Sequence, residues 1–142
     1  MQVVHCWVEN VGIEGLGVPY IGKLDRKLYS CVSDDIITDE VIITEKQILH
    51  IMERHPLDYE RFSGLLQMII ESPDYILEAN KPYTAVILKE VAIGGEVFKT
   101  ILRLATSVDD PSYKNSVITF MKIDKKDWDR LIRNKTVLYK RG

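Results

Sequence analysis

Tyr83-Thr84-Ala85-Val86-Ile87-Leu88-Lys89-Glu90-Val91-Ala92-Ile93-Gly94-Gly95-Glu96-Val97-Phe98-Lys99-Thr100-Ile101-Leu102-Arg103-Leu104-Ala105 decides the fold. Its two arms are rich in β-branched and large apolar residues, and Gly94-Gly95 between them is a hairpin turn signal. Residues 83–91 and 97–105 are therefore expected to pair as antiparallel strands. Alternation puts Leu102 and Leu104 on one face of the second strand and Ile101, Arg103 and Ala105 on the other. An arginine in mid-strand needs a partner, either a carboxylate or a bound anion, and ion pairing is the commoner answer.

Strand texture continues on both sides of this hairpin. Residues 75–78 precede it, separated by a turn at Asn80-Lys81-Pro82. After the loop 107–114, with Asp109-Asp110-Pro111, a strand is expected over 116–123. There Ser116, Ile118 and Phe120 alternate with Val117, Thr119 and Met121. Residues 124–134 read as a short helix with Trp128, Leu131 and Ile132 inward, and 136–140 as a final strand.

Helices are expected upstream. Over 58–71, Tyr59, Phe62, Leu65 or Leu66, and Ile69 repeat at helical spacing, with Asp58 at the start and Ser72-Pro73-Asp74 at the end. Before it, Thr44 and Gln47 form a capping box, and Pro56 disfavours helical geometry at His55. That helix turns Ile48, Ile51 and Met52 toward the core. Residues 41–43 form a brief apolar run, 20–24 and 27–32 read as short strands or a turn-linked hairpin, and 2–9 as a further strand before a glycine-rich loop at 12–17. Hairpin-linked strands with helices grouped before them mean an α+β fold: N-terminal helices on a mostly antiparallel sheet of four or five strands, with a short C-terminal helix and a final strand.

The 142 residues are expected to form one domain, with 1–19 as an extension or edge strand and 20–142 as the main body. The longest apolar runs are too short to span a bilayer, and the first residues do not read as a signal peptide, so the expected location is cytoplasmic. Cys6 and Cys31 fit neither a metal spacing nor a disulfide framework. Charge is unevenly distributed. Residues 1–80 carry 6 Lys+Arg against 14 Asp+Glu, and residues 81–142 carry 13 against 7. A basic second half can face phosphate, although a solvated surface of mixed sign gives the same count.

His50 and His55 are five positions apart, about 140° around a helix, so they cannot share a metal from one face. No Cys/His cluster or carboxylate ligand set is recognisable, and neither a metal nor a cofactor is expected. His55 falls on the apolar stripe and His50 beside Arg54 on the other side. Arg103, the hydroxyls of Ser116 and Thr119, and Tyr139-Lys140 at the end complete a set that suits metal-free RNA cleavage. That chemistry needs a base for the 2′-hydroxyl, a cation over the phosphorane and an acid for the 5′-oxygen.

Several blocks in order carry a resemblance: Ile43-Thr44, His50-Ile51, Arg54-His55-Pro56, Ser72-Pro73-Asp74-Tyr75-Ile76, Ile101-Leu102-Arg103-Leu104, Lys114-Asn115-Ser116-Val117-Ile118-Thr119-Phe120 and Val137-Leu138-Tyr139-Lys140. Over about 20–141 the chain resembles the phage barnase–EndoU–colicin–RelE-like nuclease domains (PBECR). The resemblance implies a barnase/RelE-like fold with the RNA site on the sheet face away from the helices. It points to His50, His55, Arg103, Ser116, Thr119 and Tyr139 as catalytic residues and to Arg54, Asn115 and Lys140 as substrate-binding ones; Lys81, outside the matching blocks, is a further expected substrate-binding residue. One histidine should then lie within about 10 Å of Arg103 and of Ser116, Thr119 or Tyr139, the reach of one phosphate with its ribose. The expected function is a metal-independent endoribonuclease, toxin-like, of phage or prophage type. RNA is the expected partner, and an inhibitor or a phage structural protein a further one. The alternative is a non-catalytic phage-related accessory protein that keeps the fold for RNA or protein binding.

Overall fold

The structure is a computed structural model and describes residues 20–91 and 94–142. The readings made for 2–9, 12–17 and Cys6 lie outside the described residues. The strands are β1 (Tyr20–Lys23), β2 (Glu40–Ile42), β3 (Tyr75–Glu78), β4 (Thr84–Glu90), β5 (Val97–Arg103), β6 (Asn115–Ile123) and β7 (Val137–Lys140). The helices are α1 (Arg26–Tyr29), α2 (Glu45–Arg54), α3 (Pro56–Phe62), α4 (Leu66–Glu71) and α5 (Lys125–Asn134). All seven strands share one sheet in the order β1-β2-β6-β5-β4-β3-β7. Every neighbouring pair is antiparallel except β2 with β6.

The expected hairpin is β4–β5, paired from Thr84↔Arg103 to Glu90↔Val97. Its turn uses Gly94 at φ +85° and Gly95 at φ +64°, which only glycine adopts without strain. β6 lies antiparallel on the other side of β5, as expected. The α+β class therefore stands, and the strand count does not: β7 is the expected final strand, and β1 and β2 add to the same sheet, making seven strands where four or five were expected.

Two further readings are corrected. Residues 27–32 are not a strand. Asp25 Oδ1 accepts the Lys27 and Leu28 N–H groups at 2.9 and 3.3 Å and caps α1 instead. The single helix expected over 58–71 is three pieces. It begins earlier, with Pro56 in its first turn, and breaks into a 3₁₀ turn at Ser63–Leu65 before α4 resumes. Ser63-Gly64 is a weak helical pair, the usual place for a kink. Thr44 does cap α2, its hydroxyl accepting from Gln47 N–H at 3.1 Å.

The helices α1 to α4 cover one face of the sheet. Tyr29, Ile48, Ile51, Tyr59, Phe62 and Ile69 meet Ile76, Ile87, Phe98, Leu102 and Phe120 there. Phe62 stands edge-on to Phe98 at 4.9 Å and Phe98 stacks on Phe120 at 5.6 Å. Each such side chain contributes about 1.5–3 kcal/mol by leaving water. On the opposite face, α5 alone lies down, with Trp128 against Leu77, Val86, Leu88 and Val97. Among the described residues, no other helix covers the rest of that face.

Two details fix the register. A β-bulge separates Leu102↔Val117 from Ile101↔Thr119, leaving Ile118 as the extra residue on β6. And Asn115, wholly buried, locks the parallel junction. Its amide donates to Thr38 O at 2.8 Å and Glu40 O at 2.9 Å, and its Oδ1 accepts from Ala105 N–H at 2.8 Å. Asn115→Ala leaves these three interior backbone groups without partners, at about 1–3 kcal/mol each. Urea unfolding should show a loss on the order of 3 kcal/mol or more. The isosteric Asn115→Asp should be no better, since it sets a carboxyl against two carbonyl oxygens.

Candidate functional site

The open half of the second face is a concave site. Alternation along β5 turns Lys99, Ile101 and Arg103 outward there, and their partners Leu88, Val86 and Thr84 on β4 point the same way. A cavity of 780 Å³ lies over this patch. Lys81, Lys99, Arg103 and Lys135 give it four cations, and Tyr83 and Tyr113 give it two aromatic rings. Val86, Ile101 and Ile118 add apolar surface.

Arg103 is held on several sides. Its Nη1 and Nη2 donate to Asp109 Oδ2 and Oδ1 at 3.1 and 2.9 Å, and Nη1 also donates to the carbonyl of Leu104. The guanidinium carbon lies 5.4 Å from the Tyr83 ring centre and 5.8 Å from that of Tyr113. Of the two partners open to a mid-strand arginine, the carboxylate is therefore present. Asp109 also accepts the Thr106 N–H at 2.8 Å. This backbone bond first, and then the Arg103 hydrogen bonds and charge, hold its pKa below the usual carboxylate value.

Tyr83 has φ +56°, a left-handed conformation that a tyrosine rarely adopts. Its carbonyl accepts Leu104 N–H at 2.8 Å, and Thr84 Oγ1 donates to Pro82 O at 2.9 Å. Those bonds hold the strained residue at the cavity. Lys99 is half-buried. Burial, then the nearby Lys135 and Arg130, pushes its pKa below the usual lysine value, with Asp127 opposing.

The expected site residues separate into groups. Arg103 and Lys81 line the cavity. Ser116 and Thr119 lie on the same face in the adjoining strand, opposite Arg103 and Ile101. Simple alternation would have put these two on opposite faces, and the bulge at Ile118 brings them to one. Asn115 is interior, its amide taken up by backbone. Tyr139 pairs with Ile76 and packs on the helix-side core. Lys140 pairs with Tyr75 beyond α5, at a separate 380 Å³ depression with Asp74 and Trp128.

His50 and Arg54 are exposed on α2 and His55 is its half-buried C-cap, all on the helix side. Asp58, three residues on, accepts the N–H of Lys122, which stands opposite Phe98. Phe98 is five residues from Arg103, about 17 Å along the strand. The histidines thus belong to the helix that packs on the covered face, whereas Arg103 is turned to the opposite face.

Lys99, Lys135, Tyr83, Tyr113 and Asp109 were not singled out from the sequence. Lys99 was legible: it is two alternations before Arg103 on the same strand face. The others come from loops and a helix end, where no periodicity applies. Among the described residues, no three His, Cys, Asp or Glu side chains converge in a way that could hold a metal ion. No described helix is long and apolar enough to cross a membrane.

Neither the curated proteins nor the solved structures include a match to this chain. Residues 21–140 match the family described as phage-Barnase-EndoU-ColicinE5/D-RelE like nuclease2. That span runs from β1 to the end of β7 and takes in every element of the sheet and the whole cavity. The chain belongs to this family of phage barnase–EndoU–colicin–RelE-like nucleases.

Proposed function

We propose that the chain is a metal-independent endoribonuclease of phage or prophage type, acting in the open cavity between β4, β5 and the loop after β5. The observation that carries this reading is the meeting of four cations and two aromatic rings over one concave face in a member of a nuclease family. Cations attract and hold a phosphodiester, and aromatic rings stack on unpaired bases. RNA is the favoured substrate because its 2′-hydroxyl is an internal nucleophile. The protein then has only to move protons and stabilise charge.

In this mechanism Arg103 and Lys99 lie over the scissile phosphate and stabilise the charge of the phosphorane. Lys99, with its lowered pKa, exchanges a proton with the reacting oxygens more readily than an exposed lysine would. Lys81 and Lys135 hold neighbouring phosphates, and Ser116 and Thr119 bond to the adjoining ribose. His50, His55 and Tyr139 take no part in it.

A second reading keeps the fold for RNA binding without cleavage. One observation favours it: among the described residues, those lining the cavity include no histidine, aspartate or glutamate, which leaves proton transfer there to lysine and tyrosine.

The purified protein incubated with total RNA, with and without chelator, distinguishes the two. Cleavage that survives chelation is expected, and binding without cleavage would favour the accessory reading. Arg103→Ala should lower the rate about a hundredfold, as loss of an oxyanion donor does, while His50→Ala with His55→Ala should leave it within about twofold.

Lys99 gives an independent check through stability. Its folded pKa lies below the unfolded value, so between the two the unfolded chain binds the extra proton and stability rises with pH. Below that window the cost of the buried charge is fully present. Lys99→Met should therefore raise the thermal midpoint at pH 7 and flatten its rise toward pH 10.5, while lowering RNA cleavage. A substitution that stabilises and inactivates together marks a residue kept for function.

A further inference from the structure

Resting on that reading, we propose that Asp109 is a positioning residue that sets which edge of Arg103 meets the substrate phosphate. A guanidinium carries five N–H donors arranged in two-pronged edges. Here both Nη1 donors and one Nη2 donor are taken, by Leu104 O and the two oxygens of Asp109. What remains is the Nε–Nη2 edge, itself a fork that matches two oxygens of a phosphate. Tyr83 and Tyr113 stand beside the guanidinium and limit its swing.

Asp109 can do this because it is itself fixed. Its Oδ2 accepts the Thr106 N–H at 2.8 Å and the Thr106 hydroxyl at 3.4 Å. The stems of its loop are tied together, since Asn115 Oδ1 accepts from Ala105 N–H at 2.8 Å. The carboxylate is thus anchored to backbone independently of Arg103.

The same contact has an opposite interpretation, in which Asp109 neutralises Arg103 and keeps phosphate away. The two differ in sign. A neutralising carboxylate weakens attraction for a polyanion, so its removal would raise affinity and rate together. A positioning carboxylate gives orientation at the expense of attraction. Its removal leaves ground-state binding equal or tighter while the chemical step loses its aligned donor.

Kinetics of RNA cleavage by the full chain with Asp109→Asn test this. Asparagine keeps an oxygen for the Thr106 N–H and loses the charge. The expected result is a kcat lower by about 10- to 100-fold, the cost of a misplaced group, with KM unchanged or lower. Asp109→Glu keeps the charge and displaces the fork, and should lose kcat similarly. In an Arg103→Ala background the Asp109→Asn effect should vanish, because Asp109 acts through Arg103. A merely structural role would persist there.

A readout free of catalysis is the Arg103 Nε–H signal in ¹⁵N NMR during titration with inorganic phosphate. It should shift in the wild type and respond weakly in both Asp109 variants, even if RNA cleavage proves absent and the nuclease reading fails. An increase in kcat with Asp109→Asn, full activity with Asp109→Glu, or a wild-type Nε–H signal indifferent to phosphate would each overturn the proposal.

Discussion

The buried amide of Asn115 is the constraint on which both the sheet and its open face depend. It stands where β2 joins β6 as the one parallel pair, and bonds to backbone on both sides of that junction. A parallel edge contributed by a distant segment has no hairpin to set its register. Two carbonyls on the β2 side and one N–H beyond β5 set it instead. The third bond matters more for the site. By holding Ala105, Asn115 draws together the ends of the loop that carries Asp109 and Tyr113. The loop that flanks Arg103 is therefore fastened by the same residue that fastens the sheet.

The described helices are all on one face except α5, and that asymmetry creates the cavity. Trp128 and its neighbours cover Leu77, Val86, Leu88 and Val97, the apolar end of the second face. The other end carries Lys99, Arg103, Ser116 and Thr119, which a helix could cover only by taking charges and hydroxyls out of water at several kcal/mol each if unpaired. The polar half stays open because its composition makes closing it costly. The strained φ of Tyr83 sits at the rim of this opening, where local strain is held by surrounding bonds and serves geometry rather than stability.

Much of this was legible in sequence, and the limits are physical. The hairpin, β6, α5 and the helical segments follow from period and turn chemistry. The strand expected at 27–32 failed because one side chain, Asp25, offered a local cap stronger than a weak alternation. The 58–71 helix failed at Ser63-Gly64, a break that an apolar repeat on either side conceals. Period two placed Arg103 and Ile101 on one face correctly and misjudged Ser116 against Thr119, since a bulge leaves no mark in composition. The histidines drew notice by chemical type and by the matching blocks, yet their helix belongs to the covered face. Asn115 belonged to the matching blocks for a structural reason, which residue type could not separate from a binding one.

The charge asymmetry of the sequence finds its meaning in the cavity wall. Its lining runs from Ala79 to Lys135 and comes almost wholly from the basic second part of the chain, whereas α1 to α4 belong to the first part and carry five Lys+Arg against five Asp+Glu. The cations of the second part thus gather on the open face, while the helices over the covered face are balanced in charge. Asp109, bonded to Arg103 from outside the cavity lining, offsets its charge, so the net attraction for an anion rests on Lys81, Lys99 and Lys135. In the proposed function, attraction and orientation are then divided between residues: the lysines, as mobile point charges, would draw a phosphate chain in, and the rigid fork of Arg103 would align it. A chain with a net charge of −2 can in this way present a local anion site without being a general binder of nucleic acid.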